Sequence, residues 1–95
     1  MVWTESAQAH LAAIHAYISR DSPRYAQAMI DRITRRAEQC RDWPLAGARV
    51  PEYDQDEIRE VLQHPYRIIY RVRPTHVEIV AVVHGARLLP PDAPQ

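Results

Sequence analysis

The apolar residues of this chain change their period along its length. From residue 4 to residue 40 they recur at helical spacing, and from residue 57 to residue 84 they alternate or run together as strands do. Met1 to Trp3 form a short apolar opening with weak strand character. Thr4 suits the N-cap of a first helix that carries Ala7, Leu11, Ile14 and Ile18 on one stripe. Tyr17 widens that stripe, while Gln8, His15 and Ser19 lie off it. Asp21-Ser22-Pro23 restarts a helix: Ser22 caps it, and Pro23 takes the first helical position, where a missing N–H costs nothing. Ala26, Met29, Ile30, Ile33, Ala37 and Cys40 make the apolar stripe of this second helix, and Arg24, Asp31, Arg32, Arg35 and Arg36 fill its wet side. So short a joint predicts an antiparallel helical hairpin. Such a pair needs a sheet to bury both stripes.

Residues 42–56 read as loop, punctuated by Pro44, Gly47, Pro51 and acidic residues, with Trp43 expected to pack beneath it. Residues 57–63 form a first strand, broken at His64-Pro65. Tyr66 to Val72, YRIIYRV, alternates strictly, and Val77 to His84, VEIVAVVH, returns after the turn Arg73-Pro74-Thr75-His76. Setting Val72 opposite Val77 puts Arg71 across from Glu78, a favourable pair. Continued without interruption, that register places Tyr66, Ile68, Tyr70, Val72, Val77, Ile79, Ala81 and Val83 on one apolar face for the helices. The other face then carries Arg67, Arg71 and His84 above Ile69, Val80 and Val82, and is expected to be open. The chain is therefore an α+β domain of order β-α-α-β-β-β: a short N-terminal strand, then a two-helix hairpin on one face of a mainly antiparallel sheet. Residues 1–95 form a single domain, with 90–95 a flexible tail.

Composition narrows the functional classes. The chain has 95 residues, 46% hydrophobic and 25% charged, which is a globular balance and excludes wholesale disorder. No apolar run approaches the length of a membrane span, and Glu5, His10 and His15 interrupt any signal-like opening, so a soluble cytoplasmic domain is expected. A single Cys40 excludes an internal disulfide framework. Twelve basic residues balance twelve acidic ones, and all twelve cations are arginine. Apart from the N-terminal amine, no amine chemistry is open to the chain. No metal site or other cofactor is expected: His10 and His15 lack ligand spacing, and two glycines cannot make a phosphate loop.

The candidate functional face is the second side of the sheet. There Arg67 and His84 become diagonal neighbours, and Arg87 folds back toward them through Gly85, with Arg71 further along. An Arg–His–Arg group can grip a phosphodiester or an acidic segment, with histidine as proton donor and the arginines holding phosphate charge. The plain alternative is a solvated face whose arginines pair with Glu60 and Glu78, with Arg67 an exposed side chain that can be removed at little cost to the fold.

The element order, the SP that opens the second helix, and the phrases IREVLQHPYRIIYRV and VEIVAVVHGARLLP resemble the ParE/RelE toxins of bacterial type II toxin–antitoxin modules, over essentially the whole chain. The resemblance implies a RelE-like fold neutralised by a cognate antitoxin in a toxin–antitoxin hetero-oligomer. It also implies one of two targets. ParE-like members inhibit DNA gyrase and take part in plasmid stabilisation, whereas RelE-like members cut messenger RNA on the ribosome without a metal. Arg67 stands where ribonuclease members place an arginine, and Arg87 lies near a second; with His84 they are the catalytic candidates of that alternative. The lysines and C-terminal tyrosine of several ribonuclease members have no counterpart, which favours the gyrase branch; a non-toxic binding module is a further alternative. For the antitoxin, the grooves beside Leu11, Ile14, Met29 and Ile33 are the expected docking surface.

Overall fold

The computed structural model describes residues 1–87 and 89; the tail assigned to residues 90–95 lies outside the described residues. The elements are β1 (Val2–Trp3), α1 (Glu5–Ser19), α2 (Pro23–Asp42), a single 3-10 turn (Pro44–Ala46), β2 (Ala48–Arg49), β3 (Ile58–Gln63), β4 (Tyr66–Val72) and β5 (Val77–His84). They build a five-stranded sheet in the order β1-β5-β4-β3-β2, antiparallel except where β1 runs parallel to β5. Both helix starts follow from their caps. The Thr4 hydroxyl accepts from the Ala7 N–H and the Ser22 hydroxyl from the Tyr25 N–H, with Pro23 opening α2.

The hairpin packs on one sheet face. Ala7 of α1 and Met29, Ile33, Ala37 and Cys40 of α2 bury themselves against Val61, Tyr66, Ile68, Tyr70, Val77, Ile79 and Val82, while Leu11, Ile14 and Ile18 pack half-buried at the margin. The opposite face is not open. Val50 and Tyr53, from the segment after β2, and Leu89 cover Ile58, Ile69, Val80, Ala81 and Val83 in a second small core. Residues 42–56 therefore contain more than loop: α2 extends to Asp42, a short strand pairs Ala48 with Glu60 and Arg49 with Arg59, and the following segment folds over the sheet.

A bulge in β5 corrects the expected pairing. Val72–Val77, Arg71–Glu78 and Tyr70–Ile79 face each other as anticipated. The register then shifts, so that Ile69 faces Ala81, Ile68 faces Val82, Arg67 faces Val83 and Tyr66 faces His84. One extra residue reverses the parity of everything beyond it. Ala81 and Val83 consequently join the second core, and Val82 joins the helix side. The bulge is pinned from α1, where His10 Nδ1 accepts from the Val82 N–H at 3.1 Å.

That bond requires a neutral imidazole, since the protonated ring has no acceptor. Burial, aided by the charge of Arg87, holds the His10 pKa below its usual 6.5. Because the folded value is depressed, the unfolded chain takes up the proton more readily. The contribution is therefore complete above the ordinary histidine pKa and is lost as pH falls through the region below it. The difference in melting temperature between the wild type and His10→Gln is expected to shrink from pH 7.5 to pH 5.5, the range across which histidine titrates. A pH-independent difference would show that the bond does not stabilise the bulge.

Candidate functional site

Arg67 lies at the centre of the site. It is 8% exposed, although strand alternation points it away from the helices. The reason is Glu52, carried over the sheet by the segment between β2 and β3. Arg67 Nη1 and Nη2 donate to the two oxygens of Glu52 at 2.9 Å each. Nε and Nη2 donate to Oε2 of Glu60, on the neighbouring strand, at 2.8 and 2.5 Å. The remaining Nη1 hydrogen reaches the Arg87 carbonyl at 3.4 Å. A guanidinium has five N–H donors, and all five are taken. Glu52 also accepts from the Leu89 N–H at 3.3 Å. The hydrogen bonds from Arg67 hold the Glu52 carboxyl at about 2, and the two glutamates raise the Arg67 pKa in return.

The structure separates the other expected members of this cluster. His84 faces Tyr66, on the helix side, whereas Arg67 faces Val83 on the other side. The His84 ring meets the Tyr66 ring edge-on with centroids 6.0 Å apart, and its Nδ1 accepts from the Ala86 N–H at 3.2 Å. Arg87 offers Arg67 its carbonyl, not its guanidinium, whose charge is felt instead at His10. Arg71 lies across from Glu78 as expected, but Arg73 Nε holds the Glu78 carboxylate. No Arg–His–Arg group is assembled. The bulge is the physical reason, since it puts His84 on the wrong face.

Four apolar candidates and one loop residue also find their places. Met29 and Ile33 are 2% and 0% exposed, sealed between α2 and the sheet, while Leu11 and Ile14 remain half-buried on α1. Trp43 does not pack beneath the loop: it is 73% exposed, next to Leu45 at 65%. The loop is instead anchored by Tyr70, whose hydroxyl donates to the Pro44 carbonyl at 2.6 Å and accepts from the Gly47 N–H at 3.2 Å.

Beside the Arg67 cluster lies a cavity of about 650 Å³ lined by Pro51, Glu52, Glu60, Leu62, His64, Pro65, Tyr66, Arg67 and Gly85. Sequence reasoning named Glu60 as a possible arginine partner but missed Glu52. The signal for Glu52 is slight: a lone acid between Pro51 and Tyr53, in a segment whose Val50 and Tyr53 have no helical or strand period. Among the described residues no three His, Cys, Asp or Glu side chains come together as a metal-holding group, and no helix is long and apolar enough to cross a membrane.

A hairpin on one face of a mostly antiparallel sheet, with the second face closed by a loop, defines a small α+β fold. The chain belongs to the ParE toxin family: the model of the ParE toxin of the type II toxin–antitoxin system parDE matches residues 1–89. It is 39% identical over 88 residues to the toxin RelE2 of Caulobacter vibrioides, covering 93% of this chain and 97% of that one. It also matches a structure of the chromosomal ParDE toxin–antitoxin system from P. aeruginosa with a TM-score of 0.71 and 24% identity, over 86% of this chain and 90% of that one, a likeness of fold. The chain is thus the toxin of a toxin–antitoxin pair, and the family implies a cognate antitoxin as its partner.

Proposed function

We propose that this toxin inhibits DNA gyrase by binding, in the cytoplasm, and performs no bond-making chemistry of its own. The observation that carries this reading is the saturation of Arg67. All five of its donors are committed to Glu52, Glu60 and the Arg87 carbonyl, so the arginine at the ribonuclease position has none left for a scissile phosphate. Two carboxylates around one guanidinium leave a formal charge of −1, which repels a phosphodiester. His84, the candidate proton donor, faces the other side of the sheet.

The second reading is a RelE-like ribosome-dependent messenger RNA endonuclease, favoured by the name RelE2 of the Caulobacter relative. Purified toxin is expected to inhibit gyrase supercoiling and to induce the DNA-damage response in cells. Rapid cleavage of translated messages at the ribosomal A site, with gyrase unaffected, would reverse the assignment.

Neutralisation, in this reading, uses the outside of the molecule. Leu11 and Ile14 stay half-exposed on α1, whereas Met29 and Ile33 are withdrawn into the core. Arg32, Arg35 and Arg36 line a shallow groove with Gln39 and Gln63 and make no ion pair among the described residues. A disordered, acidic antitoxin tail with apolar anchors suits that surface.

A further inference from the structure

The cavity beside Arg67 has a sign. Glu52 and Glu60 together carry one more negative charge than Arg67 cancels, and their side chains are only 20% and 16% exposed. An excess charge held partly out of water is costly, and a cation brought to it recovers much of that cost. Arg67 has no donor left for an incoming anion, while the carboxylates keep acceptor capacity. Both bonds from Arg67 to Glu60 fall on Oε2, and a carboxylate offers about four lone-pair sites in all.

The walls narrow the class of cation. Pro51, Leu62 and Pro65 give the cavity apolar sides, the surroundings that suit a methylene stem beneath a charged head. Leu62 stands at the rim 62% exposed, a large apolar side chain left in water. The approach to the rim is a stretch of the β3 edge that no further strand covers among the described residues. β2 pairs with β3 only at Arg59 and Glu60, and the Leu62 carbonyl beyond it takes the Arg36 Nε at 3.2 Å. An extended polypeptide can run along that edge and lower a side chain past Leu62, which a free polyamine has no reason to do.

We propose that the cavity is a receptor for a basic side chain, an arginine or lysine presented by an extended segment of a partner protein, and that Glu52 sets the preference for positive charge. The site is distinct from the gyrase assignment and stands or falls without it.

Titration of the full-length chain with acetyl-Leu-Arg-amide, followed by amide NMR at low salt, tests the proposal. The peptide is expected to shift the amides of Leu62, His64 and Gly85, with an affinity that falls as salt rises. Glu52→Gln removes the excess charge but leaves the Arg67–Glu60 pair, and should weaken binding about tenfold, the worth of one charge-assisted contact. Leu62→Arg, at an exposed position where folding is not at risk, should weaken it similarly by placing a cation at the mouth. Acetyl-Leu-Glu-amide and a single-stranded oligoribonucleotide should leave the three amides unmoved. The proposal is overturned if the arginine peptide causes no shift, if either anionic probe shifts the same amides, or if both variants bind as the wild type does. Equal binding of spermidine would overturn the polypeptide as occupant.

Discussion

Arg67→Ala is expected to destabilise the toxin by about 3–5 kcal/mol, the range found when one partner of a buried ion pair is removed. Typical stabilities of roughly 0.05–0.15 kcal/mol per residue give this chain about 5–14 kcal/mol in all. The variant therefore loses a large part of its stability, and a wild type at the lower end would keep only about 0–2 kcal/mol. The cost arises less from the lost arginine than from what it leaves behind. Glu52 and Glu60, at 20% and 16% side-chain exposure, would face each other with no cation between them. The Leu89 N–H contact and the cover over Ile69 and Val83 depend on the same segment. Denaturant unfolding of wild type and variant measures the difference.

The pH dependence gives a second handle on the same cluster. The Glu52 carboxyl is held at about 2, well below its ordinary 4.5, by hydrogen bonds from Arg67. A depressed folded value means that the stabilisation is present above 4.5 and disappears as pH falls toward 2. In Arg67→Ala the two carboxylates instead favour protonation, so the gap between variant and wild type should narrow steadily in that window. A gap that stays constant on acidification, or a variant as stable as the wild type at neutral pH, would show that the cluster is solvated and Arg67 replaceable.

That expectation is the reverse of what strand alternation alone suggests, and the difference shows what the chain made legible. The two helices, their caps and their buried stripe follow from local rules: Thr4, Ser22-Pro23 and the spacing of Ala26, Met29, Ile33, Ala37 and Cys40 all act within a few residues. The turn-proximal pairing of β4 and β5 was legible too, because Glu78 marks the phase of its strand opposite Arg71. Beyond Glu78 the run Ile79 to Val83 contains no polar residue. A strand buried on both faces loses the alternation that would reveal a bulge. Nothing in that run distinguishes His84 above the sheet from His84 below it, so uninterrupted alternation puts the histidine on the wrong face. Glu52 was invisible for a different reason. Its position depends on how an aperiodic segment crosses the sheet, and no spacing rule relates residue 52 to residue 67. The second core formed by Val50, Tyr53 and Leu89 was missed for the same reason.

Tyr70 makes the second large effect, and its ring and hydroxyl can be separated. The residue is 0% exposed, among the largest fully buried side chains of the domain. Tyr70→Ala is expected to cost about 3–5 kcal/mol through the cavity left by the ring. Tyr70→Phe keeps the ring and removes only the hydroxyl that joins the Pro44 carbonyl to the Gly47 N–H. Two backbone groups then lose their partner, for about 1–3 kcal/mol. Position 47 is a glycine for want of space, since its φ of −70° is open to any residue. A Cβ there would sit 2.3 Å from the Tyr70 hydroxyl and 2.8 Å from the Glu60 carbonyl oxygen. Gly47→Ala must therefore displace the tyrosine or the strand edge. With the hydroxyl already gone, part of that clash disappears, so Tyr70→Phe combined with Gly47→Ala should cost less than the sum of the two changes. Strict additivity would mean that the Glu60 carbonyl, not the hydroxyl, limits position 47. The loop that this hydroxyl fixes carries Trp43 and Leu45 into solvent, so hydrogen exchange at Ala46 and Gly47 should accelerate in Tyr70→Phe while the centres of α1 and α2 stay protected. Unchanged exchange at both amides would show that the loop holds its shape without the tyrosine.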